Sequence, residues 1–465
     1  MERLSGLDAS FLYVETPRMH MHVAILAVMD PTAVPGGYSF EKVQDLIASR
    51  LHLIPPFRRR IVRVPFDLHH PLWVNDPHFD IIHHVRRVAA PAPGGRKELA
   101  AITGRILSAP LDRSRPLWEV WVIEGLKHGR FAVLTKVHHC AVDGVSGAEL
   151  LAHIFSLDSA VPPTPPPVAI EPEDVPSETD LVRFGAISRL KQPAAMWKLA
   201  PRTVRAVADV VRRRRDPEAE VGAVPLTAPR TRFNGAIGSQ RSVAFARVPL
   251  SGVKTIKNKF GTTVNDVVLA LCSGALRRYL ADRNELPKIP LLAVCPISVA
   301  SKNGGTQSSN KVSAMFTSLA THIDDPAERL REIQKVTRGA KQEHNAIGAD
   351  MLQQWSEFAA PTTFNLAARF YTSMNLANRH RPIHNLVISN VPGPPIPLYM
   401  AGAELVAAYP MGPVMEGAGL NVTVMSYKGS VDVGFNAATN LVPDVWDLAS
   451  AVQPAFEELL AAAQG

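Results

Sequence analysis

Two kinds of apolar pattern alternate along the chain. In the first, Val, Ile, Leu and Ala alternate with polar residues or crowd into short runs. This predicts strands in MHVAILAVM from position 21, FAVLTKVHH from 131, RSVAFARVPL from 241, PLLAVCPISVA from 290, HNLVISNV from 384, LNVTVMSY from 420 and SVDVGFNAAT from 430. In the second, apolar residues recur three and four apart. This predicts helices in FEKVQDLIASRL from 40, GAELLAHIFSL from 147, TVNDVVLALCSGALRRYLADR from 263, PAERLREIQKVTRGAKQEHN from 326 and PDVWDLASAVQPAFEELLAAA from 443.

The alternation stops at LDSAVPPTPPPVAIEPEDVPSETD, residues 157–180, where prolines and acidic residues replace hydrophobic periodicity and the chain reads as an extended linker. Residues 181–215 then hold ten basic residues against one acid, Asp209, with apolar positions at roughly helical spacing. Strand and helix patterns on both sides of this break predict two α/β units, 1–157 and 226–465, joined by 158–225. A length of 465 residues fits that division, since domains run to about 150 residues.

An apolar content of 46% with 20% charged residues belongs to a globular chain and excludes a disordered one. MERLSGLDASFLYVE shows neither a secretory signal nor a transit peptide, so a cytoplasmic location is expected. The apolar runs fall short of the roughly 18 residues that a membrane span requires. Cys140, Cys272 and Cys295 are scattered, which suits neither a zinc site nor a disulfide framework, and they are expected to be reduced and buried. A net charge of +8 raises nucleic acid or an anionic membrane as partners. No helix-turn-helix, RRM or zinc-finger pattern accompanies it, so nucleic acid is not expected.

The chain carries three His-His pairs, His69/His70, His83/His84 and His138/His139. Only the third is followed by an aspartate and a glycine, Asp143 and Gly144, at the point where a predicted strand gives way to a loop and helix. Reactive side chains are commonly held on such loops. A neutral imidazole, with a pKa of about 6.5, can take the proton of an alcohol during acyl transfer, and such positioned base catalysis contributes roughly 10²- to 10⁴-fold. Structural readings stand beside this one: a histidine pair is more often scaffold than catalyst. Adjacent residues at a strand end point to opposite faces, which disfavours both histidines sharing a metal, and none is expected. The same divergence separates Cys140 from His139, and a small buried cysteine is the simpler reading. Ser146 lacks the glycine two residues later that a nucleophile elbow requires.

His138-His139-Cys140-Ala141-Val142-Asp143-Gly144 resembles the HHxxxDG motif of the CoA-dependent acyltransferase superfamily, which includes chloramphenicol acetyltransferase and peptide-synthetase condensation domains. LDASFLYVETPRMHMHVAILAV, PLWVNDPHFDIIHHV, LDRSRPLWEVWVIEGL, TVNDVVLALCSGALRRYL, SNVPGP and GSVDVGFNAATNLVPD together resemble the bacterial wax ester synthase/acyl-CoA:diacylglycerol acyltransferase family, in its actinobacterial branch, over nearly the whole chain. The resemblance implies two chloramphenicol acetyltransferase-like α/β domains with an active-site channel at their interface. It implies His139 as general base, His138 in support, Asp143 as a structural member of the loop, and Gly144 where substrate approaches the backbone. It further implies acyl-CoA as co-substrate with no bound cofactor, and no acyl-enzyme.

Asn265 and Asp266 match the family's second motif, near the channel, while the residues themselves also read as the N-terminal cap of a helix. Pro116, Leu117 and Trp118 resemble a motif of structural weight, with Trp118 as packing. In SNVPGP, Gly393 is expected to supply unusual backbone angles at a turn. The expected substrates are long-chain acyl-CoA and diacylglycerol, giving triacylglycerol, with long-chain alcohols and wax esters as the alternative. Such lipids place the protein at the inner face of the membrane or on lipid droplets. The basic stretch 181–215 serves either as the attachment to an anionic surface or as a solvated face. His138 and Asp143 also fit the H-x4-D spacing of glycerolipid-phosphate acyltransferases, without that family's phosphate-binding blocks. A non-catalytic lipid-surface protein of the same fold is the reading from another class.

Overall fold

The computed structural model describes residues 2–142, 152–160, 222–298, 312–347 and 361–465, with scattered positions between 173 and 216. Before the linker run strands β1 (Glu2–Arg3), β2 (His22–Asp30), β3 (Arg59–Val62), β4 (Leu72–Asn75), β5 (Val85–Ala89), β6 (Trp118–Glu124) and β7 (Phe131–His138). After it come β8 (Arg241–Pro249), β9 (Leu292–Ser298), β10 (Val312–Ser318), β11 (Leu386–Pro392), β12 (Tyr399–Met400), β13 (Ala403–Met411), β14 (Leu420–Tyr427) and β15 (Ser430–Ala438). The helices that matter below are α1 (Gly6–Val14), α2 (Phe40–Arg50), α3 (Arg96–Leu107), α4 (Leu250–Phe260), α5 (Val264–Ala281), α6 (Pro326–Ile347), α7 (Pro361–Ser373), α8 (Val445–Ser450) and α9 (Val452–Gln464). Every predicted strand is present, within two residues at each end. The predicted C-terminal helix is two, α8 and α9, divided at Ala451.

Two six-stranded mixed sheets form the molecule, ordered β12-β13-β2-β7-β6-β5 and β10-β9-β11-β14-β15-β8, beside a small sheet β1-β4-β3. Strands β12 and β13 come from the C-terminal segment, yet β13 runs antiparallel to β2, with Tyr409 opposite Leu26. The segment 226–465 is therefore not confined to one sheet. The physical reason lies in AELVAAYPM itself. Leu405 and Ala408 enter one core cluster, Ala407, Tyr409 and Met411 another, so both faces must be covered and only an interior sheet position does that. The buried Asp432 of β15 fixes the exchange. It pairs with Arg247 (Nε to Oδ1 2.5 Å, Nη2 to Oδ2 2.9 Å) and accepts from Ala408 N at 2.9 Å, while Arg247 Nη2 donates to Val406 O at 2.7 Å. Helix α3 also joins the halves by lying on β8. A Cβ on Gly104 would sit 2.6 Å from Arg241 O, so only glycine permits that approach.

The linker is described at few positions. Leu181 packs with Val64 and Leu72, and Glu173 accepts from Asn75 N at 3.2 Å, both against the N-terminal half. Most of the basic stretch 181–215 lies outside the described residues. All three cysteines are free and buried. Among the described residues no helix is long and apolar enough to cross a membrane, and no His/Cys/Asp/Glu cluster is arranged to hold a metal ion.

Candidate active site

Strand β7 is buried along its whole length between β2 and β6, and ends at His138, which lies opposite His22. His139 opens a short 3-10 turn, His139–Ala141. Its N–H donates to Met21 O at 2.8 Å, so the turn starts while still tied to the neighbouring strand segment. Alternation along the strand sends the two imidazoles apart.

His138 points into the protein and is 1% exposed. Its Nδ1 accepts from Cys140 N at 3.2 Å and lies 2.9 Å from Cys140 Sγ. An accepting Nδ1 leaves the ring proton on Nε2, which faces Glu15 Oε2 at 3.5 Å without a well-aligned hydrogen bond. Glu15 follows the last residue of α1. Its carboxylate takes the Arg113 guanidinium on Oε2 and Met21 N on Oε1 at 3.2 Å. Burial would raise the Glu15 pKa, but His138 and Arg113 outweigh it and hold the group down at about 2. Glu15 thus braces the Met21 peptide, whose carbonyl in turn fixes His139.

His139 faces the other way and is half-buried. Its ring stacks on Phe11 of α1, centroids 4.0 Å apart at 23°. Burial, and then the neighbouring His138, lower its pKa from 6.5 to about 4, against a hydrogen bond to its own backbone that favours the protonated form. No other described residue hydrogen-bonds the His139 ring. Cys140 beside it is buried, with a thiol pKa pushed well up by desolvation and then by Asp8 and Glu15, which leaves it no thiolate for nucleophilic attack.

The other two pairs are scaffold. His70 Nδ1 bonds Tyr13 OH at 2.8 Å, and His84 Nδ1 bonds Trp118 O at 2.8 Å while stacking on that indole. Trp118 is itself packing: it is 1% exposed, donates to Phe57 O at 2.8 Å and stacks on Phe57. Asp143 and Gly144 lie outside the described residues, as does Ser146.

The second motif opens α5. Thr263 is its N-cap, and Asp266 closes a capping box: Asp266 N donates to Thr263 Oγ1 at 3.2 Å, and Thr263 N to Asp266 Oδ2 at 2.9 Å. Thr337 of α6 takes Oδ1 at 2.8 Å, so the buried carboxylate is fully spent on structure. Asn265 accepts from Asn390 Nδ2 of β11 at 3.4 Å. The next residue, Val391, packs against the core cluster that contains Cys140 and Ala141. Strand β11 therefore carries the second motif's neighbourhood toward the histidine turn. Gly393, just beyond β11, does not adopt a left-handed conformation. A Cβ there would lie 2.2 Å from Ser426 O, so close packing, not an unusual backbone angle, requires glycine.

Phe11, Glu15, Met21 and Arg113 were not among the predicted site residues. Their signal is weak: one acid at the end of a short apolar helix, and an arginine a hundred residues away.

Two mixed sheets, the first of which takes β12 and β13 from the C-terminal segment, with the histidine turn at the end of a central strand, define a condensation-domain-like acyltransferase fold. The first condensation domain of the calcium-dependent antibiotic synthetase shares it at a TM-score of 0.58 and 14% identity, over 99% of this chain and 96% of that one. More specifically, residues 4–268 match the wax ester synthase/diacylglycerol acyltransferase catalytic domain, and residues 308–460 match the WS/DGAT C-terminal domain. The chain belongs to this family and is an acyltransferase. A Mycobacterium tuberculosis (strain CDC 1551 / Oshkosh) protein named "Putative diacyglycerol O-acyltransferase MT1809" is 41% identical over 99% of this chain and 90% of its own. The wax ester synthase/diacylglycerol acyltransferase of Marinobacter aquaeolei VT8 superposes at a TM-score of 0.70 with 29% identity, covering both chains fully.

Proposed function

We propose that the protein transfers a long-chain acyl group from acyl-CoA to diacylglycerol, making triacylglycerol, with His139 as the general base. The observation that carries this reading is the state of the His139 ring: neutral at physiological pH, held by Phe11 and the Met21 carbonyl, with Nε2 unengaged. Nε2 takes the proton of the acceptor hydroxyl as that oxygen attacks the thioester carbonyl. The new C–O bond forms, the C–S bond breaks, and the proton passes from the imidazolium to the departing CoA thiolate. A pKa near 4 keeps Nε2 ready to accept. The negative charge that develops on the tetrahedral carbon's oxygen then supplies the local stabilisation that the imidazolium lacks in the resting site.

No acyl-enzyme is required, because a thioester is already activated and the one adjacent thiol, Cys140, is protonated and tied to His138. His138 holds the turn, Asp266 caps α5, and Asn265 meets Asn390 of β11. Diacylglycerol is favoured as acceptor by the names of the mycobacterial relatives. Acyl-CoA is a co-substrate, and the reaction needs no further cofactor.

The test is CoA-thiol release from palmitoyl-CoA by the purified chain with diacylglycerol or hexadecanol. Stimulation by diacylglycerol, abolished in His139→Ala, is expected. Preference for hexadecanol moves the function to wax ester synthesis with the same base. Activity that survives His139→Ala removes the mechanism, and no release with either acceptor leaves the non-catalytic lipid-surface reading.

A further inference from the structure

Helix α7 packs one side against α1, the helix that carries Phe11. Its other side is apolar and bare. Leu366 (68% exposed), Phe370 (57%) and Met374 follow one another at i, i+4 and i+8, and Met374 N still bonds Phe370 O. Such spacing forms a single stripe. Isolated exposed apolar residues are ordinary, whereas an aligned set marks an interaction surface.

A second protrusion stands nearby. Phe66 is 86% exposed, at the tip of a short turn, with φ of 59°, a conformation bulky residues rarely adopt. Val64 and Asp67, close on either side of it, line a cavity of about 270 Å³ together with Asn365, the neighbour of Leu366, and with Leu12 and Tyr13 of α1. Phe66 and the α7 stripe thus flank one opening, on the flank of the helix that supports His139.

The charge around this opening is mostly positive: Asp67 is the one acid in its lining, against Arg60, Arg63 and Arg113. Positions 361–384 contain no Asp or Glu. Arg369, Arg379 and Arg381 are exposed, and none has a carboxylate partner among the described residues. Arg63, also exposed, lines the cavity. Bare apolar side chains among unpaired arginines match a surface of anionic headgroups over hydrocarbon, since the first gain by leaving water and the second by phosphate contact.

We propose that this face, with Leu366 and Phe370 on α7, Met374 just past its end and Phe66 across the cavity, is where the protein seats on an anionic phospholipid bilayer. It rests on the proposed lipid acceptor, which it would bring to the α1 side of the site, and the two readouts below separate them.

The full chain is sedimented with vesicles of phosphatidylcholine, with or without phosphatidylglycerol. The native protein is expected to bind the anionic vesicles more tightly, and less so at high salt. Leu366→Glu/Phe370→Glu lowers the partition coefficient at least about tenfold. Arg379→Ala/Arg381→Ala lowers it roughly tenfold on anionic vesicles only. Both variants, altered only at exposed positions, keep the native unfolding midpoint.

Unchanged partition of Leu366→Glu/Phe370→Glu overturns the proposal. So does a native dimer that this variant splits while neither protein binds vesicles, since the face then covers a second copy. CoA release toward detergent-dispersed diacylglycerol, which needs no vesicle, is read in parallel. Its absence in the native protein removes the catalytic reading and leaves the vesicle result to decide docking alone.

Discussion

The histidine turn and the Asn-Asp turn both stand out in the sequence, and the structure uses them in opposite ways. At the first, His138 is buried between Cys140 and Glu15, and the ring of its neighbour His139 has no hydrogen-bond partner among the other described residues. At the second, Asp266 satisfies Thr263 and Thr337 and holds a helix start against α6. A motif carries chemistry where the surrounding contacts leave a reactive atom over, and stability where they consume every atom.

This contrast is sharpest in variants. His139→Ala is expected to lower kcat for CoA release by roughly 10²- to 10⁴-fold with little loss of stability, because the removed nitrogen is not bonded; equal losses of activity and of unfolding free energy would place His139 with the scaffold. Asp266→Ala should do the reverse. Loss of the capping box and of the Thr337 bond costs about 2 to 4 kcal/mol, read as a fall in the denaturation midpoint, with kcat of the folded fraction within a few-fold of native. Glu15→Ala lies between the two. It leaves Arg113 and His138 without their carboxylate, costs about 1 to 3 kcal/mol, and lowers kcat through the displaced Met21 peptide. Phe11→Leu, which removes a stack of about 0.5 to 1.5 kcal/mol, should lower kcat severalfold without changing the unfolding midpoint by more than a few degrees.

The smallest effect is on pH. A base with a pKa of about 4 leaves kcat/KM flat between pH 8 and about 5.5, where a solvent-exposed histidine would already be mostly protonated. An acid limb near pH 6.5 would show that the His139 ring is not desolvated. For stability the sign is fixed by the lowered folded pKa: as pH falls from 6.5 toward 4, the unfolded chain binds the proton and the folded one does not. His139 and the similarly lowered His384 therefore each destabilise the fold over that window, whereas the contribution of Glu15 is lost only as pH falls from 4.5 toward about 2.

Much of this was legible in advance. The β7 pattern ended at the histidines as read, Trp118 is packing, and Asp266 is a cap. Glu15 was not legible as a partner of His138, because an acid at a helix end looks the same whether it meets water or an arginine. The stripe on α7 also escaped notice, since no helix was predicted over 361–373 and local pattern does not tell which side of a helix the fold leaves uncovered.

The sequence by itself determined the local elements, the position of the histidine pair at a strand end, and the opposite orientation of its two rings, because these follow from backbone periodicity over a few residues. Tertiary structure alone decided that AELVAAYPM would leave its own segment to pair with β2, that Glu15 and Arg113 would meet behind His138, and that one imidazole nitrogen would be left without a partner. Those outcomes depend on which distant surfaces can be buried together, a competition among long-range contacts that local pattern does not record.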